Sequence, residues 1–261
     1  LTEAQAATAS TVTRELRNGA GHYALLVATL HGGGTERVVA TLAAQWRAAG
    51  HDVVVITTVA KPAGSPDDFP LPPDVTRVDL AATFEHRSRW GRVAALAGLL
   101  WRLRGALREL RRWHIVSFGD VTNVLALLAG LGLGLRISVA ERTDPGALQR
   151  LPRSFVLLRR WLYRLADHVI AQTESAAQWL RRECRCDAVV LPNPLRSLPA
   201  AAPLGGRERV VLAVGRLDRL KGVDTVLRAF AMARTADAHG WRLVVLGHGP
   251  EEVALRTLAN E

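Results

Sequence analysis

Apolar residues recur along this chain at two alternating periods. Short β-branched or apolar runs, bounded by polar or glycine-rich turns, predict strands at residues 23–30, 52–58, 75–80, 115–118, 136–140, 166–172, 189–191, 210–214 and 242–246. Between them the spacing is helical. Val38, Leu42 and Trp46 share a face of a helix that Thr35 and Glu36 open, as cap and first-turn acid, and Gly50 closes. Over residues 90–113, Val93, Leu96, Leu100, Leu103, Leu107 and Leu110 fall at intervals of 3, 4, 3, 4 and 3. That stripe predicts a helix of roughly 35 Å packed on the sheet. Asn123 caps the next helix, and others follow at 154–165, from a cap at 173–175 to 182, and at 223–235. Strands alternating with helices make an α/β chain of parallel sheets. The wholly apolar run 210–214 suits a strand buried on both faces.

Punctuation divides the chain. Residues 1–21, rich in Ala, Thr and Ser without an apolar stripe, read as a poorly ordered leader. Residues 62–73 form a proline-rich loop, and residues 196–208 a Pro/Ala/Gly linker. The expected domains are therefore 22–195 and 209–261. The second holds only about 55 residues, less than half of an ordinary domain, and leaves strand edges and apolar helix faces uncovered. With Leu rather than Met at position 1, the expectation is a fragment of a longer product.

Charge narrows the function classes. The net charge is +10, and of 34 basic residues only Lys61 and Lys221 are lysines. Residues 87–112 hold eight arginines against one acid, Glu109. The helix at 90–113 thus reads either as a surface helix with solvated arginines or as a face for an anionic membrane. No helix-turn-helix, zinc-finger or aromatic RNA-binding signature appears, so nucleic acid is not an expected partner. No apolar run reaches the ~18–20 residues of a membrane span, and no signal-peptide pattern is present. Cys184 and Cys186 read as free thiols, too few for a closed zinc site.

Candidate chemistry sits in the turns that follow strands. His31 precedes Gly32-Gly33-Gly34, where backbone amides and a helix N-terminus approach an anion; the bland alternative is a tight turn needing positive φ. Asp120 and Asn123 follow the strand at 115–118, and Glu141, Arg142 and Asp144 the strand at 136–140. Glu141 and Arg142 read equally well as a surface ion pair. After 210–214 comes Gly215-Arg216-Leu217-Asp218-Arg219-Leu220-Lys221, whose Arg216 and Lys221 suit a diphosphate, or are simply solvated. Gly247 and Gly249 follow the last strand.

The stretch GRLDRLKGVDTVLRAFA resembles the signature of retaining GT-B glycosyltransferases of family 4. The resemblance extends to residues 32–36, 138–145, 166–175, 192–194 and 247–251. It implies two Rossmann-like halves, the second incomplete, and retaining transfer from a nucleotide sugar to a glycan or lipid-linked acceptor. Arg216, Lys221 and the Gly32–Gly34 loop would hold the donor diphosphate; Asp120, Asn123, Glu141, Arg142, Asp144, Gly247 and Gly249 would line the cleft. Many relatives carry His where Arg142 stands, so that role is not transferred; an Arg suits a phosphate or acidic acceptor group. The family's E-x7-E segment lies beyond Glu261. No Asp-x-Asp motif appears, in keeping with transfer that needs no metal or other cofactor, and no catalytic base is assigned. A cytoplasmic enzyme, peripheral at the inner membrane face, is the implied setting. A nucleotide-sugar epimerase and a non-catalytic basic adaptor are the competing readings.

Overall fold

The computed structural model describes residues 20–60, 68–83, 88–143, 153–194, 208–236 and 240–260. The chain divides into two compact units, Leu1–Leu195 and Arg196–Glu261. Apart from residues 20, 21 and 208, the expected leader and linker lie outside the described residues, as do Asp144 and residues 62–67 of the loop at 62–73.

In unit 1 the β-branched runs become seven parallel strands. They are β1 (His22–Val27), β2 (Asp52–Val59), β3 (Thr76–Ala82), β4 (His114–Phe118), β5 (Arg136–Ala140), β6 (His168–Ala171) and β7 (Ala188–Val190), ordered β3-β2-β1-β4-β5-β6-β7. Successive strand side chains face opposite ways. Ala24 and Leu26 of β1 accordingly join one buried cluster, Leu25 and Val27 another. The second cluster is closed by Val38, Val39 and Ala43 of α1 (Gly34–Ala48). The first is closed by α2 (Arg89–Glu109), α3 (Asp120–Gly130), α4 (Arg153–Leu162) and α5 (Glu174–Cys184). Strand order reverses between β1 and β4, and at such a switch point the carboxyl ends of the strands flank a ligand crevice.

The long helix departs from its predicted packing. Ser88 caps it, accepting from Gly91 N at 3.0 Å, and it ends at Glu109 rather than 113. Its buried line is Leu99, Leu103 and Leu107, whereas Val93 and Leu96 of the predicted stripe are 58% and 41% exposed. A helix of this length spans about 30 Å, while a strand of five to seven residues spans about 17–23 Å. The first turns therefore outrun the sheet, and only the later turns find cover. Arg104, on the buried half, pairs with no carboxylate among the described residues; it donates to Ala129 O and Leu131 O, both at 2.8 Å, at the end of α3.

Unit 2 contains two parallel strands, β8 (Val210–Val214) and β9 (Arg242–Leu246), with α6 (Val223–Ala236) and α7 (Glu252–Asn260). The expected two-sided burial of 210–214 is not met: Val211, Leu212 and Val214 are 40%, 57% and 72% exposed. Two strands and two helices among the described residues do not cover both faces of a sheet. No described helix is long and apolar enough to cross a membrane.

Candidate functional site

The carboxyl ends of the unit 1 strands carry its polar side chains. After β1 the chain turns through Gly32 at φ +74, and Gly33 stands at the helix cap without a side-chain bond. Thr35, expected as the cap, lies within α1 instead, because Gly34 already begins the helix. Gly33 has no side chain to cap the first turn, and the Glu36 carboxylate folds back over it, its Oε2 2.1 Å from where a Gly33 Cβ would stand, so an acid of the chain already lies at this helix N-terminus. After β4, Gly119 at φ +93 leads into α3, and the half-buried Asp120 accepts from Val121 N at 2.7 Å.

Asn123 and Glu141 correct the sequence reading. Neither lines a surface: they are 0% and 1% exposed. Asn123 is not a cap but sits inside α3, donating to Ala140 O at 3.1 Å and Tyr163 Oη at 3.0 Å. Tyr163 Oη in turn donates to Glu141 Oε1 at 2.5 Å, and Arg159 Nη1 lies 3.6 Å from the same oxygen. Arg159 is itself buried, stacked over Trp179 at 4.6 Å. Burial pushes the Glu141 carboxyl from 4.5 up to about 7; the Tyr163 bond and the Arg159 charge pull the other way but lose. Burial, followed by the Glu141 charge, also raises the Tyr163 phenol. The Glu141–Arg142 surface pair does not form, because neighbours at a strand end point apart.

Arg142 turns outward, over the Phe118 ring at 5.9 Å, and its Nη2 donates to Asn193 Oδ1. With its amide oxygen toward the arginine, Gln172 stands 3.0–3.2 Å from the guanidinium nitrogens and 3.0 Å from Asn193 Nδ2. Gln172 and Asn193 follow β6 and β7. Sequence reasoning missed both as site residues. The available signal was position: Gln172 closes the predicted strand 166–172 and Asn193 follows the one at 189–191.

In unit 2 the turn after β8 is built on Asp218. Its carboxylate accepts from Arg216 Nε at 2.7 Å, lies 2.6 Å from Arg216 Nη2 and caps the short helical turn at Lys221 N, 3.2 Å away. Arg216 therefore holds Asp218 below its ordinary pKa. Lys221 makes no ion pair among the described residues, its stem passing Gly215. The turn after β9 lies against this one. Leu217 N donates to His248 O at 2.9 Å and Glu251 N to Leu217 O at 3.0 Å. A Cβ on Gly247 would fall 1.9 Å from Gly215 O, and one on Gly249 2.3 Å from Leu217 O. Gly247 and Gly249 thus admit the neighbouring backbone.

The model of glycosyltransferase family 4 matches residues 32–196, more than half of the chain. The chain belongs to glycosyltransferase family 4. The model of glycosyl transferases group 1 matches residues 197–261 of this family 4 chain. A Campylobacter jejuni relative, GalNAc-alpha-(1->4)-GalNAc-alpha-(1->3)-diNAcBac-PP-undecaprenol alpha-1,4-N-acetyl-D-galactosaminyltransferase, is 26% identical over 226 residues, covering 86% of this chain and 60% of that protein. The family 4 chain thus spans about three fifths of that relative's length. Among solved structures, sucrose-phosphate synthase from Thermosynechococcus elongatus matches with a TM-score of 0.70 at 18% identity, over 92% of this chain and 66% of that one. Anabaena Alr3699/HepE in complex with UDP matches with a TM-score of 0.66 at 14% identity, over 92% and 65%. These likenesses show the α/β fold of GT-B glycosyltransferases.

Proposed function

We propose that the whole protein transfers a sugar from a nucleotide-sugar donor to a glycan or lipid-linked acceptor, with retention at the anomeric carbon. The observation that carries this reading is the turn after β8, where Arg216, its Nε–Nη2 side held by Asp218, keeps its Nη1 end off any carboxylate among the described residues and Lys221 makes no ion pair among them, beside a strand's carboxyl end. A departing diphosphate develops charge that such donors stabilise without a metal. Each charge-assisted bond contributes about 1.5–3 kcal/mol. The Campylobacter relative acts on an undecaprenol-linked glycan, which supports a lipid-linked acceptor. Exposed aromatic residues support the further reading that the enzyme rests on a membrane surface. Trp90 and Trp101 of α2 are 83% and 78% exposed, and Trp161 of α4, on the same side of the sheet, is 67% exposed. Lys221→Ala or Arg216→Ala in the whole protein should lower donor turnover about tenfold or more without unfolding it. Wild-type kinetics in both variants would sink the assignment.

A further inference from the structure

In unit 1 the buried or half-buried Arg47, Arg77, Arg159 and Arg160 are spent on carboxylates and Arg104 on carbonyls. Arg142 is not. It is half-buried, yet among the described residues it makes no ion pair, and its oxygen neighbours are the neutral amides of Asn193 and Gln172. Glu36, in the first turn of α1, supports the cation only through its field.

The geometry shows which donors are left. The Gln172 oxygen is 3.2 Å from Nε, 3.2 Å from Nη1 and 3.0 Å from Nη2. An oxygen nearly equidistant from all three nitrogens lies over the guanidinium plane rather than in it. It therefore steadies the plane without using the in-plane N–H bonds of Nε and Nη1. Phe118 also meets the guanidinium by its ring, 5.9 Å away, and Asn193 takes Nη2. Nε and Nη1 flank Cδ and share no edge, but Nη2 carries two N–H bonds and Asn193 takes one; the other, with its neighbour Nε or Nη1, remains as an in-plane fork that matches a carboxylate or phosphate. It stands just past the carboxyl end of β5, where open parallel sheets receive ligands.

We infer that Arg142, oriented by Gln172, Asn193 and Phe118, is an oxyanion subsite that takes a phosphate or carboxylate group of the acceptor. The inference rests on the transfer reading above only for the origin of that group. Binding can be read without any transfer. The isotope-labelled chain is titrated separately with inorganic phosphate and with glucuronate, using glucose as the uncharged control. The side-chain amide signals of Gln172 and Asn193 are followed, since they report on this site and not on Arg216 or Lys221. Saturable shifts are expected with at least one anion and none with glucose. Half-saturation should rise about tenfold or more in Arg142→Gln. Arg142→Lys, which keeps the charge but loses the fork, should bind more weakly than wild type. A response to phosphate points to a phosphorylated acceptor, one to glucuronate to an acidic sugar. No saturable shift with either anion, or equal shifts in Arg142→Gln, overturns the subsite. Neither result depends on whether the whole protein transfers a sugar.

Discussion

Replacing Glu141 by Gln should remove a pH dependence from the stability of unit 1. Burial raises this carboxyl from 4.5 to about 7, so the folded state keeps a proton that the unfolded chain releases. Between those two values the native state binds more protons. Stability contributed by this group is therefore full below about pH 4.5 and falls as pH rises, levelling above about pH 7. At about 1.4 kcal/mol per pKa unit, the whole effect is on the order of 3 kcal/mol. The side chain is 1% exposed, so solvent screening takes little from it. Gln keeps the volume and an oxygen for the Tyr163 hydroxyl, but it does not titrate. Urea unfolding of both proteins should be followed from about pH 5 to about pH 8, where the remaining carboxylates titrate alike and cancel. Loss of the Arg159 partner shifts the variant by a constant, and the quantity to read is the slope. The variant should gain on wild type by a few kcal/mol across the window. A flat difference refutes the reasoning. A flat difference is what a carboxylate kept ionised by Arg159 gives, because its titration then lies below the window.

Other outcomes follow from the packing. Gly247→Ala and Gly249→Ala press a methyl group against backbone oxygens and should destabilise unit 2 by about 1–3 kcal/mol or more, read as a lower thermal midpoint; Gly98→Ala, with nothing within 4 Å of its Cβ, should be neutral or stabilising. Trp90→Ser with Trp101→Ser should weaken binding to vesicles containing anionic lipid, and unchanged binding would remove the membrane proposal. Arg104→Gln should instead cost about 1–3 kcal/mol in denaturant unfolding, because it uncaps the carbonyls of Ala129 and Leu131.

Much of the fold was legible because its signals are local. The run at 210–214, the break at Gly215 and the helical spacing after Gly222 specify a strand, a turn and a helix wherever they are placed. The same holds for the glycines that follow β1 and β9. Burial was less legible. The stripe from Val93 to Leu110 is periodic, but periodicity does not say how far the sheet extends beneath it, so Leu99 was missed and Val93 misplaced. Glu141 looked like a surface residue because its partners come later in the chain. Arg159 comes from within α4 and Tyr163 from just after it. Likewise Gln172 and Asn193 meet Arg142 through the register of β5, β6 and β7, which no single segment specifies.

The stitched turns of unit 2 bear on what binding costs. Gly215 N to Leu246 O, Leu217 N to His248 O and Glu251 N to Leu217 O continue the β8–β9 pairing beyond the strands themselves. Arg216 and Lys221 are thus mounted on a plate of shared backbone, not on a free loop. Fixing a loose residue costs about 1–2 kcal/mol in backbone entropy alone. A ligand that meets a plate avoids most of that loss, so more of its charge-assisted bonding survives as affinity. Breaking the plate at Gly247 should therefore weaken the grip on a phosphate even though no cation has been touched.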